Sequence, residues 1–318
     1  MNKVLVVENL HTHFFTANGV VEAVEDVSFH LEKGEMLGLI GESGCGKSTV
    51  IQSILRLLEY PGKVMSGKAM LGGVDLLQAP AEQIEKLRWK SISVIPQSAM
   101  NALNPVFTVG EQIMEAILLH EKMTMEEAIR RTEQLLEMVG IPKQRRKSYP
   151  HEFSGGMKQR VAIAMALACN PQVVISDEST TGLDVLTQAQ VIAILKDLQR
   201  SMDLSIILIS HDLPMVTAIC ERIAIMYAGK IVEWGTTEQL ITNPRHPYSQ
   251  GLLAATPDMN DPEKECRSIP GTVPLLINPP KGCRFHTRCQ HVQDKCKVES
   301  PPIREVHEGH FVSCFVGG

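Results

Sequence analysis

The sequence predicts an α/β fold, and three observations lead there. Strand-like and helix-like segments alternate through most of its 318 residues, the pattern of a sheet covered by helices. A glycine-rich stretch, GESGCGKST at 41–49, follows the apolar run 36–40 and precedes Ile51, Ile54, Leu55 and Leu58 at helical spacing. A second apolar strand, within VVISDE at 173–178, ends on two adjacent carboxylates, Asp177 and Glu178.

In chain order, short β-branched and apolar runs predict strands at 3–10, 20–31, 36–40, 68–71, 91–95, 172–176, 205–210 and 223–227. Between about 110 and 140 the period changes. Ile113, Ile117, Ile129, Leu136 and Val139 fall at helical spacings among Glu, Lys and Arg, so a helical insert is expected there. Past Trp234 the alternation fades and prolines crowd in, at 244, 247, 257, 262, 270, 274, 279, 280, 301 and 302. The main domain is therefore expected to end near 240, and the tail, poor in long apolar stretches but holding four closely placed cysteines, to owe its order to something other than a core. No internal repeat is visible.

Bulk composition excludes several classes. Lys and Arg total 31 against 36 Asp and Glu, a formal charge of -5, so no nucleic-acid partner is expected. The longest strictly apolar run, 161–169, stops at Asn170-Pro171, far short of the ~20 residues that span a bilayer. The opening MNKVLVVENLHTHF carries Lys3 and Glu8 and lacks the apolar core and cleavage site of a secretory signal, so a cytoplasmic protein is expected.

The stretch 41–49 fits G-x-x-x-x-G-K-[ST] in the strand-loop-helix setting which that pattern requires. Gly41, Ser43, Gly44, Cys45 and Gly46 form a loop whose backbone N–H groups can face phosphate oxygens, reinforced by the positive end of the helix that follows. Lys47 is expected at the β- and γ-phosphates of ATP, Ser48 as a Mg²⁺ ligand, and Thr49 as a donor near the α-phosphate. Asp177 can hold Mg²⁺ through water while Glu178 orients the water that attacks the γ-phosphate. An acidic pair after a strand also occurs as a plain solvated loop; partnership with Lys47 favours the chemical reading.

A third motif lies upstream of the carboxylates, FSGGMKQR at 153–160, and with it the chain resembles the ATP-binding cassette ATPases. Ser154 suits a helix N-cap, and Gly155 and Gly156 permit close approach at the helix start. The resemblance implies that Ser154, Gly155, Gly156 and Met157 contact the ATP bound by an opposing subunit. It likewise implies Gln97 as a Mg²⁺ ligand and coupling residue, Asp184 in the loop crossing the dimer interface, and His211 as the γ-phosphate switch beside the catalytic Glu178. Phe14 sits where an aromatic ring packs on adenine, although a lone aromatic equally serves a core. The implied fold is an ABC-type P-loop domain over 1–240, with a RecA-like core, an antiparallel β subdomain and a helical signature subdomain at about 100–160, plus a small cysteine-rich extension at 241–318. Three positions depart from the family pattern: Pro96 before Gln97, Ser179 after the acidic pair, and Met157 in place of glutamine, the last typical of peptide importers.

SAMNALNPVFTVGEQI, TTGLDVLTQAQV and HPYSQGLL followed by the cysteine-rich tail are similar to the ATPase subunits of dipeptide and oligopeptide importers, a branch that also serves nickel, glutathione and other small solutes. That resemblance implies two integral membrane permeases, a second ATPase subunit (a related chain or the same one), an extracytoplasmic solute-binding protein acting indirectly, and a place on the inner face of the membrane. A soluble ATP-driven clamp is the competing class, but the chain has one cassette, no heptad insertion and no basic arm. Cys283, Cys289, Cys296 and Cys314, spaced C-x5-C-x6-C-x17-C, match cysteines that hold a [4Fe-4S] cluster in similar importers; zinc or four ordinary thiols are the alternatives. Such a cluster would fasten the tail.

Overall fold

Fourteen-residue β1 (Lys3–Thr16) opens the computed structural model, which describes residues 2–97, 102–256 and 266–317. Residues 98–101, which begin the SAMNALNPVFTVGEQI stretch, and the prolines at 257 and 262 lie outside the described residues. β2 (Gly19–Glu32), β3 (Met36–Ile40), α1 (Lys47–Ile54), β4 (Gly62–Leu71) and β5 (Val74–Asp75) follow. Then come α2 (Ala81–Leu87), β6 (Ile92–Ile95), α3 (Val109–His120), α4 (Met125–Met138) and α5 (Gly155–Ala166). The next stretch holds β7 (Val173–Asp177), α6 (Val185–Met202), β8 (Ser205–Ser210), α7 (Leu213–Ile219), β9 (Arg222–Tyr227) and β10 (Lys230–Thr236). The tail contributes α8 (Thr237–Thr242), α9 (Pro247–Ala255), α10 (Asp294–Val298), β11 (Arg304–His307) and β12 (His310–Val312).

These elements form two compact units, one of Met1–Val4, Leu31–Glu35 and Gln78–Leu208, the other of Leu5–His30, Met36–Leu77 and Ile209–Gly318. In the first, β6 pairs in parallel with β7, Ile92 opposite Val173 and Ile95 opposite Ser176, and β8 lies on the other side of β7. β7 and β8 are nearly continuous buried Val, Ile and Leu, as parallel strands covered on both faces must be. The expected helical insert is α3 and α4, which pack on each other and on α5. Each of the pair starts at a capping box, Thr108 with Glu111 and Thr124 with Glu127, where hydroxyl and carboxylate satisfy N–H groups that the first turn leaves unpaired. Ile113, Ile117, Leu135 and Leu136 form the buried faces.

In the second unit, β3 pairs in parallel with β9, and β9 returns antiparallel as β10. The two-residue turn between them, Ala228-Gly229, has φ of 46° and 86°, the left-handed pair that a tight hairpin uses. A separate four-stranded sheet has the order β2-β1-β4-β5. β1 runs on to Thr16, past the expected end at Leu10, because the register shifts after Glu8, with Asn9 at φ 46°, and the ladder with β4 then resumes as far as Phe14 opposite Gly62.

The tail departs from expectation in having a core. Tyr248, Phe285 and Val312 are buried, and β12 pairs antiparallel with β10, Glu233 opposite Val312, with β11 beyond it. The Glu233 carboxylate, wholly buried, accepts from His310 Nε2 (2.8 Å) and from the backbone N–H groups of Arg245 (2.7 Å) and His246 (2.8 Å). Among the described residues no helix is long and apolar enough to cross a membrane.

Candidate functional site

The loop 41–49 lies in the second unit and leads from buried β3 into α1. The N-cap of α1 is Gly46, which supplies no side-chain acceptor, so the first-turn N–H groups stay directed at whatever lies before the helix. Gly46 has φ 103°, and a Cβ there would meet the carbonyl oxygen of Ala23 at 2.3 Å; only glycine lets the loop pass this close to β2. Lys47 Nζ donates to the carbonyls of Gly41 (2.8 Å) and Glu42 (3.2 Å), so the ammonium spans the loop it follows. Cys45 faces inward, its carbonyl accepts from Gly229 N–H (2.8 Å), and burial pushes its thiol up, which makes it a packing residue. Ser43 and Gly44 are exposed, and Ser48 and Thr49 half-buried, in the same loop and first turn. Phe14, half-buried on β1, lies against Gly62 in this unit. The exposed His211 follows β8, and its neighbour Asp212 caps α7 by accepting from Met215 N–H (3.0 Å).

The first unit holds the other expected residues. Register explains one pairing: with Ile95 opposite Ser176, the two chains leave the sheet in step, which brings Gln97 to Glu178. Gln97 Nε2 donates to Glu178 Oε2 at 2.9 Å. Glu178 has φ 43°, a left-handed conformation that non-glycine residues seldom adopt without cause. Asp177 ends β7, half-buried. Ser179, where the family pattern has proline, is buried with its hydroxyl 2.6 Å from that of Ser176. Ser154 caps α5 as expected, its Oγ accepting from Met157 N–H at 3.4 Å. Gly155 is half-buried and Gly156 buried at the start of that helix. Asp184 caps α6, accepting from Thr187 N–H (2.9 Å) and Oγ1 (2.7 Å), and these bonds hold its carboxyl below the usual range. Beside it, Val185 and Leu186 are 84% and 70% exposed, the profile of residues that await a partner.

The tail cysteines sense one another: burial pushes the Cys283 thiol up to about 11, and Cys314, Cys296 and Cys289 add to the effect. Even so, among the described residues no group of three or more His, Cys, Asp or Glu is placed to hold a metal ion. The zinc or iron-sulfur centre expected at Cys283, Cys289, Cys296 and Cys314 thus has no metal-holding arrangement behind it.

Sequence reasoning missed the partners of Glu42. Its carboxylate pairs with Arg288 and its N–H donates to the hydroxyl of Tyr248 (3.0 Å). Both partners lie more than 200 positions away in the chain, where no local pattern could announce them.

Known proteins bear on this geometry. The family described as ABC transporter matches residues 24–181, and the oligopeptide/dipeptide transporter C-terminal region matches 232–296. The oligopeptide transport ATP-binding protein OppD of Bacillus subtilis (strain 168) is 45% identical over 99% of this chain and 89% of its own. The dipeptide transport ATP-binding protein DppD of the same organism is 45% identical over 99% of this chain and 95% of its own. Among solved structures, the ATP-binding cassette MJ0796, a dimer in a post-hydrolysis state bound to ADP and Pi, superposes with a TM-score of 0.66 at 25% identity over 73% of this chain and 98% of its own. The chain belongs to the ABC transporter family, in the branch of the oligopeptide and dipeptide transport ATP-binding proteins.

Proposed function

We propose that this chain binds ATP with Mg²⁺ at the 41–49 loop, hydrolyses it, and so powers uptake of di- or oligopeptides through membrane permeases. The observation that carries the hydrolytic part is the Gln97–Glu178 hydrogen bond, which couples the residue after β6 to the carboxylate after β7. Peptide as cargo rests on the names of full-length relatives, each a transport ATP-binding protein.

In this reading Lys47 and the N-terminus of α1 bind the phosphates, and Glu178 takes or orients the proton of the attacking water. Ser48, Gln97 and Asp177 offer hydroxyl, amide and carboxylate oxygens, the all-oxygen set that suits Mg²⁺. Bound there, Mg²⁺ would offset charge on the phosphate oxygens. His211 acts as the γ-phosphate switch, and Phe14 packs on adenine. Ser154, Gly155, Gly156 and Met157, with Asp184, face a second ATPase subunit. The exposed Val185 and Leu186 support that face being covered. The cassette spans 1–240 and the tail 241–318, and the assembly sits at the inner face of the membrane on two permease subunits, fed by a solute-binding protein. A [4Fe-4S] cluster on the four tail cysteines is a separate proposal that leans on resemblance alone. Iron and acid-labile sulfide in anaerobically purified protein decide it, and no step above passes through it.

The test is reconstitution of the chain with peptide-importer permeases and a partner ATPase in vesicles. ATP-dependent uptake of a labelled peptide, lost in Lys47→Ala, is the expected result. Uptake of nickel alone would move the cargo, and ATP turnover without any copurifying membrane protein would remove transport.

A further inference from the structure

We infer that Arg288 and Tyr248, both in the tail, are positioning residues for the phosphate loop and act on it through Glu42. The inference rests on the nucleotide reading of that loop. Arg288 meets Glu42 as a fork, Nη1 to Oε2 at 2.7 Å and Nη2 to Oε1 at 3.1 Å, with its side chain 5% exposed. The opposite edge of the guanidinium is fixed by the tail itself: Nε donates to Pro270 O (2.8 Å) and Nη2 to Ile269 O (3.3 Å). It also lies 5.7 Å from the Tyr227 ring centroid. A planar fork held on both edges leaves its partner little freedom.

Glu42 follows Gly41, the first glycine of the loop, and is tied at three points. Arg288 holds the carboxylate, Tyr248 Oη accepts from the backbone N–H at 3.0 Å, and the carbonyl accepts from Lys47 Nζ at 3.2 Å. Two of these three points are held from the tail, and the carbonyl also accepts from Cys45 N–H within the loop (3.2 Å). Tyr248 is itself immobilised, fully buried with its ring 4.6 Å from Tyr227 and 5.4 Å from Phe285. There is also a charge argument. An unpaired carboxylate in a loop that receives a triphosphate repels it at short range, and the guanidinium offsets that repulsion. The tail thus sets both the shape and the charge of the loop.

The experiment measures MgATP affinity and turnover of the full-length chain. Arg288→Gln should raise Kd and KM about tenfold with kcat within about twofold, a split that general loosening of the fold does not produce. On a Glu42→Gln background the same substitution should cost less than about twofold, because the charge that it strands is gone. Arg288→Lys should recover part of the loss. An unchanged Kd in Arg288→Gln, or an equal cost on both backgrounds, overturns the inference. Should Arg288→Gln fail to fold, Tyr248→Phe, which removes one hydroxyl and keeps the ring, should raise Kd about threefold; an unchanged Kd there overturns the inference equally. A wild-type chain that binds no MgATP overturns the reading of the loop itself, whereas wild-type binding with indifferent variants overturns this inference alone.

Discussion

Gln97 donates to Glu178 across 2.9 Å, and each residue lies two positions beyond a matched pair in the parallel ladder of β6 and β7. A one-residue slip of that ladder would turn Gln97 to the other side of its strand and separate them. Glu178→Gln keeps a side chain that can still pair with Gln97 and removes only the ability to take a proton. Turnover should fall by about 10²–10³-fold, while MgATP affinity stays within about twofold. Phosphate release measured beside nucleotide titration checks both halves. Full turnover in the variant would strip Glu178 of its role.

Gly156 has a structural duty beside the ligand role expected for it. A Cβ at this position would lie 2.3 Å from Thr187 Cγ2, and Thr187 is held in place by its two bonds to Asp184. The start of α5 and the cap of α6 therefore share one close contact. Gly156→Ala should destabilise by about 1–3 kcal/mol, the usual cost of overpacking. Thr187→Ser removes the offending methyl while keeping the hydroxyl on Asp184, so the double substitution should regain most of that loss. Urea unfolding of the four proteins tests it, and additive losses would show that the contact is not the cause.

The parts of the site legible in the sequence are those built within a few residues of one another. The 41–49 loop needs a strand, glycines and a helix start in immediate succession, and Ser154 announces itself as a cap three residues before the N–H group that it serves, whereas the capping role of Asp184 emerges only in the structure. Distant pairings left no such trace. β10 was obscured because its last turn of pattern merges with the proline-rich tail, and its partner β12 arrives almost 80 residues later. The tail looked too poor in apolar residues for a core because its buried rings, Tyr248 and Phe285, are isolated in sequence and meet only when the chain has folded. Gly156 was legible as a glycine that lets phosphate approach the helix start; its contact with Thr187 is known only from the structure.

His246 makes the fold sensitive to acid. Its ring is 1% exposed, Nδ1 accepts from Tyr248 N–H at 3.0 Å, and Nε2 has no hydrogen-bond partner among the described residues. Burial alone drives its pKa down to about 3 from the ordinary 6.5. Above pH 6.5 the ring is neutral folded and unfolded alike, and contributes no pH dependence. Between 6.5 and 3 only the unfolded chain takes up the proton, so stability falls as pH is lowered, by up to about 1.4 kcal/mol per pH unit from this group. Below about 3 both states are protonated and the loss stops growing. His246→Asn offers an acceptor for Tyr248 N–H and no titrating ring, so the stability difference between pH 7.5 and 5 should shrink by about 1–2 kcal/mol relative to wild type. Parallel urea titrations at the two pH values give that difference directly, and equal slopes in both proteins would mean that the buried ring is not what acid attacks.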